Sequence, residues 1–212
     1  MTMPNSDSSA LTDPFNDAIP RAGMYGFLSR LWSREPDEGL INEINAPSVE
    51  VVLPDGFNRP KLVDIDELQA DYTQLFIGPK DQLPPYQSVW QQGQFEGDAA
   101  VTMRKYLEVI QGVRAEGYEM PDSLGLQFEV MRTLLLSNSD PDRDYDALCD
   151  LIRSYFHDCL RWTGPLTTAV QNRATTGFFA DVAKMTAAFL HEETCQLETA
   201  GQSSTVPDGP AI

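Results

Sequence analysis

The strongest constraint on the fold is a helical spacing of apolar residues that recurs along most of the chain. The clearest case is Met24, Phe27, Leu28, Leu31 and Trp32, which occupy positions i, i+3, i+4, i+7 and i+8. This spacing places all five side chains on one face of an α-helix. Segments with the alternation typical of strands are rare. The pattern predicts an all-α fold, a single mixed helical domain of about seven to nine helices.

Prolines, glycines and capping residues divide this pattern into segments. Polar tails at 1–19 and 198–212 are predicted to be disordered, with the helical domain at 20–197 between them. Asp64, with Glu67 three positions on, is typical of a helix start. The remaining helices are predicted to begin at Pro20, Pro121 and Asp140 or to span 36–45, 99–115, 165–173 and 176–197.

Residues 79–95 interrupt the helical pattern and are predicted to form a long, non-helical loop. The segment contains Pro79, Pro84, Pro85 and Gly93. A loop of about 17 residues is uncommon inside a compact domain and is usually functional. Such a loop could also act as a hinge that divides the chain into two lobes.

The formal net charge of −17 restricts the classes of partner. Such a chain repels phosphates, so neither free nucleic acid nor an anionic membrane surface is expected as its main partner, whereas a basic peptide is permitted. No signal peptide and no apolar run of about 20 residues is evident. Three cysteines without metal-ligand spacing fit a reducing compartment. We therefore expect a cytoplasmic protein without stable membrane insertion.

The sequence contains few groups that could carry catalysis. It has two histidines, His157 and His191, and no zinc, phosphate-loop or nucleophile-elbow motif. His157 lies beside a predicted apolar stripe and is expected to be packed or to cap a helix. We predict no enzyme activity, no metal and no cofactor. A small helical enzyme with an unrecognised site is the alternative from another class.

The segment that ends the third predicted helix and enters the loop has the chemistry of a recognition surface. Prolines fix φ and stiffen the loop, which lowers the entropy lost when a partner binds. Tyr86 and Trp90 offer large contact areas with polar tips, as binding hot spots do. The competing interpretation is a rigid loop whose aromatic side chains pack on the core.

Two blocks of residues carry a resemblance to a known family. The first is Tyr72-x-x-Leu75-Phe76-x-Gly78-Pro79, followed by Pro84-Pro85-Tyr86-x-Ser88-Val89-Trp90. The second is Met120-Pro121-Asp122-Ser123-Leu124, followed by Gln127-Phe128-Glu129-Val130-Met131. Together they resemble the TorD/DmsD/NarJ family of redox-enzyme maturation chaperones over about residues 20–195, and the Pro-Pro-Tyr loop is closest to its TorD/DmsD side.

The resemblance implies a non-enzymatic, all-helical chaperone. Such a protein binds the twin-arginine signal peptide and the apo form of a molybdopterin oxidoreductase. It assists cofactor insertion and delays export, as a monomer or a domain-swapped dimer. A permanent helical interaction subunit of a redox complex is the alternative.

The resemblance and the loop chemistry together predict a signal-peptide site. Its apolar part would contact the aromatic residues of the loop, and the leader arginines would pair with Asp122, Glu129 or Asp81. Ser123 stands where the family motif has histidine, so the role of that imidazole is not carried over, and Asp122 could either cap the helix that starts at this motif or accept an arginine. The predicted set is Tyr72, Leu75, Phe76, Gly78, Pro79, Pro85, Tyr86, Ser88, Trp90, Asp122, Ser123 and Glu129.

Overall fold

The computed structural model describes residue 15 and the segments 17–46, 53–110, 120–137 and 144–201. Within these ranges the chain is helical and contains no β-strand, which confirms the all-α prediction. The helices are α1 (Ala18–Ser33), α2 (Glu38–Asn45), α3 (Ile65–Tyr72), α4 (Gln87–Gln92), α5 (Asp98–Val109), α6 (Leu124–Leu136), α7 (Tyr145–Cys159), α8 (Thr163–Arg173) and α9 (Gly177–Gly201).

Most helices lie where the apolar spacing predicts them, and the differences concern their ends. Helix α1 begins at Ala18, two residues before the predicted start, and the preceding Phe15 is buried against the ring of Tyr145. Helix α5 ends at Val109 because Ile110 has an extended backbone, and residues 111–115 of the predicted helix lie outside the described residues. The same is true of residues 1–14 and 202–212 in the two predicted tails.

Helices α1 and α6 pack side by side and form the centre of the core. Leu28 on α1 and Met131 on α6 are fully buried. At Gly125, near the start of α6, a Cβ atom would lie 3.1 Å from both Cα and Cβ of Ser33. The Gly125 carbonyl also accepts a hydrogen bond from Ser29 Oγ at 2.8 Å. This contact needs glycine because the two backbones approach too closely for a side chain.

A buried ion pair ties α1 to α9. Glu193 Oε1 and Oε2 accept bonds from Arg21 Nε at 2.5 Å and Nη2 at 2.7 Å, and Oε2 also accepts from Tyr25 Oη at 2.9 Å. Burial favours the uncharged form of Arg21, but the bonds and the charge of Glu193 outweigh it and raise the guanidinium pKa. Burial, and then Glu193, raise the pKa of Tyr25 well above its ordinary value. Arg21 is therefore charged, paired with Glu193 and shielded from water.

Helix α3 is held against the start of α9 by a buried carboxylate. Asp71 accepts bonds from the backbone amides of Thr175 at 3.1 Å and Thr176 at 2.8 Å, and from the Thr176 hydroxyl at 2.6 Å. One turn further along, the rings of Phe76 and Phe179 lie 6.0 Å apart. These contacts place the end of α3 and the loop after it on the surface of the core.

Candidate functional site

The candidate site surrounds the segment that follows α3. The helix continues into one π-helical turn, Thr73–Ile77, in which the amide of Gly78 donates to the carbonyl of Thr73 at 2.7 Å. Turns of this kind are rare and occur frequently at functional sites. The chain then leaves the helix, and the amide of Leu83 donates back to the carbonyl of Leu75 at 2.7 Å. Residues 78–83 therefore form a tight excursion that returns to α3.

The Pro-Pro-Tyr part of the loop is pinned to the segment that precedes α6. Tyr86 and Ser123 form an isolated antiparallel bridge, and the amide of Leu124 donates to the carbonyl of Pro85 at 2.8 Å. The two blocks that carry the family resemblance are therefore in direct contact, although residues 91–119 separate them in the sequence.

Helix α4 lies inside the segment predicted to be a non-helical loop, so that prediction is wrong. Its first turn is completed from elsewhere in the chain: the Asp122 carboxylate accepts the amide of Ser88 at 2.8 Å, and the Asp122 carbonyl accepts the amide of Gln87 at 3.1 Å. Gly93, at φ 70°, ends the helix. Because the capping group is distant in sequence, no local sequence pattern predicts this helix.

Asp122 acts as a helix cap, but not for the helix that begins beside it, for which the sequence predicted this role. The helix that it caps is α4, whereas α6 has no capping bond from the side chain of its N-cap residue Ser123. Asp122 is fully buried behind the loop. Its carboxylate stabilises the loop and does not face solvent, where a leader arginine would approach.

A cleft of about 480 Å³ lies between the end of α1 and the loop. Its aromatic side comprises Trp32, Tyr72 and Phe76, with the ring centroid of Phe76 at 5.7 Å from Trp32 and 5.0 Å from Tyr72. The volume is typical of ligand sites, and the lining combines aromatic with polar and charged side chains. The lining residues are Trp32, Ser33, Arg34, Glu35, Tyr72, Phe76, Ile77, Gln82, Pro84, Pro85, Tyr86, Phe95 and Ser123.

Large apolar side chains at this cleft are exposed to solvent. Phe95 is 53% exposed and Ile77 is 62% exposed, and both line the cleft. The Phe95 ring lies 5.7 Å from the half-buried ring of Tyr86. Exposed apolar groups beside a concave aromatic surface are a mark of an interaction site. The arrangement suits an apolar polypeptide segment better than a small charged molecule.

The charged groups of the cleft are Arg34 and Glu35, at the turn between α1 and α2. Glu35 also borders an adjoining, more open depression of about 580 Å³. Glu35 thus borders both concave surfaces. The other residues of the second depression are Gln69, Ala70, Thr73, Gln74, Gly78, Pro79 and Lys80.

The structure brings together seven of the twelve predicted site residues. Tyr72, Phe76, Pro85, Tyr86 and Ser123 line the cleft. Gly78 and Pro79 line the adjoining depression.

The other five predicted residues do not line the cleft. Leu75, Ser88 and Asp122 are buried, and Trp90 braces the loop by donating from Nε1 to the carbonyl of Pro84 at 2.8 Å. Glu129 lies on α6 and pairs with Arg132 at 2.8 Å. Among the predicted arginine acceptors, Asp81 is exposed but is also absent from the lining.

Sequence reasoning missed Trp32, Arg34, Glu35, Ile77, Gln82 and Phe95. Trp32 ends the apolar stripe predicted for α1, and in the structure it is buried in the core and also lines the cleft. Phe95 offered a signal, since it is an isolated aromatic residue in a polar stretch. Nothing local distinguishes Glu35 from the many other acidic residues of the chain.

Neither histidine takes part in this cleft. The His157 side chain is 69% exposed, and its Nδ1 lies 3.0 Å from Asp158 Oδ1, so the expectation of a packed histidine is wrong. Across the described ranges, no cluster of three or more His, Cys, Asp or Glu side chains is arranged to hold a metal ion. In the same ranges no helix is long and apolar enough to cross a membrane.

Comparison with known proteins identifies the family. The family model of the nitrate reductase delta subunit matches residues 42–168, which is more than half of the chain. The chain therefore belongs to this family of NarJ/TorD-like redox-enzyme maturation chaperones, which is not enzymatic. The resemblance carried by the two motif blocks is confirmed.

One relative is the chaperone protein YcdY of Escherichia coli (strain K12). The two chains are 30% identical over 131 residues, which cover 59% of this chain and 62% of that protein. The match thus spans less than two thirds of the relative's length. No solved structure matches the chain.

Proposed function

We propose that this protein is a cytoplasmic chaperone that binds the twin-arginine leader of a molybdopterin oxidoreductase in the cleft beside the Pro-Pro-Tyr loop. It also holds the apo form of that enzyme, assists cofactor insertion and delays export. The observation that carries the proposal is the cleft itself, in which two family motif blocks meet and exposed apolar side chains border an aromatic surface. Membership of a maturation chaperone family supports it.

The apolar part of a leader would occupy the aromatic side of the cleft. A cleft of about 480 Å³ accommodates a few apolar side chains, with Tyr86 and Phe95 as anchors at the rim. Much of the surface that such a segment would cover is already ordered by the bonds that pin the loop. Little further ordering of the loop is therefore needed on binding.

The leader arginines would meet Glu35. It is the carboxylate among the described residues that line the cleft, and it lies between the two depressions. A guanidinium can pair with both oxygens of one carboxylate, which an ammonium group cannot do. The net charge of −17 also attracts a basic segment over a longer range, most strongly at low ionic strength.

The test is isothermal titration calorimetry with a synthetic leader peptide that carries two adjacent arginines and an apolar run. We expect Tyr86→Ala and Phe95→Ala each to weaken binding by about 1–2 kcal/mol, because each removes an anchor. Val109→Ala is the matched control, since Val109 is an exposed apolar residue outside the cleft. If Val109→Ala weakened peptide binding and the two cleft variants did not, the assignment of the cleft would be contradicted.

The arginine assignment has its own comparison. A peptide with two lysines in place of the arginines should bind more weakly to the native chain, and Glu35→Gln should reduce that difference. Glu43→Gln, an exposed substitution on α2, should leave it unchanged. Equal affinity for the arginine and lysine peptides would remove arginine recognition from the proposal and leave apolar binding in place.

A further inference from the structure

We infer that a buried chain of side-chain amides, Gln127 and Gln87, is the positioning element that holds α4, the helix directly after the cleft-lining residues Pro85 and Tyr86, and thereby sets the affinity for the client segment. The inference rests on the proposed function for the identity of the ligand, and on the structure alone for the positioning.

The amide chain links four helices through the interior. Trp162 Nε1, at the start of α8, donates to Gln127 Oε1 at 3.0 Å. Gln127 Nε2, on α6, donates to Gln87 Oε1 at 2.6 Å. Gln87 Nε2, in the first turn of α4, donates to the carbonyl of Asp158 at 2.6 Å. Helix α4 is thus bonded from inside to α6 and α7, and through Gln127 to α8.

The direction of these bonds is determined at both ends. The indole nitrogen of Trp162 can only donate, and the carbonyl of Asp158 can only accept. Each amide between them must therefore accept on the side of Trp162 and donate on the side of Asp158. Only a neutral group with one acceptor and one donor in fixed positions meets both requirements, and glutamine does so at both positions.

The two amides are shielded from solvent, so a donor or acceptor among them that loses its partner destabilises the structure. Gln127 is fully buried and Gln87 is 3% exposed. A buried donor or acceptor without a partner costs more than an average hydrogen bond contributes. A hydroxyl also holds the backbone at this point, since Tyr155 Oη donates to the carbonyl of Gln127 at 2.9 Å.

Tyr86 connects the amide chain to the cleft. Tyr86 precedes Gln87 directly, lines the cleft and carries the ring that meets Phe95. A shift of α4 must therefore move the Tyr86 anchor and the Pro85 backbone with it. The side chains of Gln87 and Gln127 do not contact the residues that would bind a ligand. The amide chain therefore acts only by fixing the position of α4.

The decisive variant is Gln127→Glu, which keeps the shape and the acceptor for Trp162 but loses the donor for Gln87. If the Gln87 amide turns over to donate to the new carboxylate, its Oε1 then faces the Asp158 carbonyl, so one pair of acceptors opposes in either orientation. Gln127→Met is the second variant, which keeps approximate volume and adds no charge. Gln196→Glu, at an exposed position of α9, is the matched control.

Two measurements are made on each full-length variant. The first is amide hydrogen exchange by nuclear magnetic resonance, at Val89 and Gly93 of the α4 region and at buried positions of α9. The second is the affinity for the two-arginine leader peptide described above. We expect Gln127→Glu to accelerate exchange in the α4 region at least ten-fold, to leave α9 protection unchanged, and to weaken peptide binding at least five-fold. Gln127→Met should show smaller changes in the same direction, and the control none.

The outcomes separate the inference from the proposed function. Unchanged exchange in the α4 region, or equal acceleration in α4 and α9, would overturn the positioning role, because the amides would then serve global stability alone. Local acceleration with unchanged peptide affinity would overturn the connection to the cleft. A native chain that binds no peptide would instead remove the leader-binding proposal, while the exchange data would still decide whether the amide chain holds α4.

Discussion

The packed core of α1, α6 and α9 is held together differently from the wall of the cleft, which comprises Pro85, Tyr86 and the helix α4 that follows them. The core relies on apolar side chains and one buried ion pair, with backbones in close contact at Gly125. The wall relies on directional bonds from distant segments, through Asp122 and Gln127. A region held by a few specific bonds can open without unfolding the whole chain. We infer that the core determines the free energy of global unfolding, whereas the wall determines the geometry of the binding cleft.

The largest expected effect lies in the core, at the buried ion pair. Glu193→Ala should lower the free energy of unfolding by about 3–5 kcal/mol, because Arg21 would remain buried without its partner. Urea denaturation measures the change. Glu192→Ala, at the exposed neighbouring position, is the control and should have little effect. Replacement of both members by apolar residues, Arg21→Met with Glu193→Leu, should recover much of the loss. A loss in the single variant no larger than that in the control would show that the pair is dispensable.

A smaller effect is expected at the contact between α1 and α6. Gly125→Ala should cost about 1–3 kcal/mol, since the new Cβ meets the Ser33 backbone at 3.1 Å and the helices must separate. Gly164→Ala is the matched control, because Gly164 is also the second residue of a helix and has no atom within 4 Å of its Cβ position. The changes in melting temperature that the two substitutions cause should differ in sign or clearly in size. Equal melting temperatures would mean that α1 and α6 accommodate the methyl group.

The wall should respond locally to loss of its cap. Asp122→Ala is expected to cost about 1–2 kcal/mol, as for other helix caps, and to increase amide exchange at Ser88, whose amide it caps. Exchange in the interior of α9 should change only as far as global stability falls. If α9 and α4 respond alike, the proposed division into core and wall is wrong.

The smallest effect concerns a surface cap outside both regions. Asp37 accepts the amide of Leu40 at 2.8 Å, and Asp37→Ala should cost about 0.5–1 kcal/mol. The backbone bond from Leu40, opposed by slight burial and aided by Arg30, lowers the pKa of Asp37 below its ordinary value of 3.8. The contribution of Asp37 is therefore complete above pH 3.8 and is lost as the pH falls through the lower folded-state pKa. The difference in the free energy of unfolding between the native chain and the Asp37→Ala variant should decrease as the pH falls into that range. A difference that does not change with pH would contradict the capping role of Asp37.

The sequence predicted the helices of the core well because each carries its own apolar period. Met24 to Trp32 on α1 and the stripe of α6 are readable without knowledge of any partner. The cleft was predicted only in part. Tyr72, Phe76 and Tyr86, which were predicted from motif and aromatic chemistry, line the cleft, whereas the predicted residues Trp90 and Asp122 do not. Their roles depend on bonds to Pro84 and Ser88 that no local spacing encodes.

Local spacing of apolar residues thus determined that this chain is all-helical, and the two motif blocks determined its family. Tertiary structure decided which surfaces of those motifs face solvent. It placed Glu35 and Phe95 at the cleft, and it formed α4 by supplying a cap from Asp122. The physical reason is that periodicity records burial along one helix, whereas a cleft is formed by side chains and hydrogen bonds that meet only when distant segments pack together.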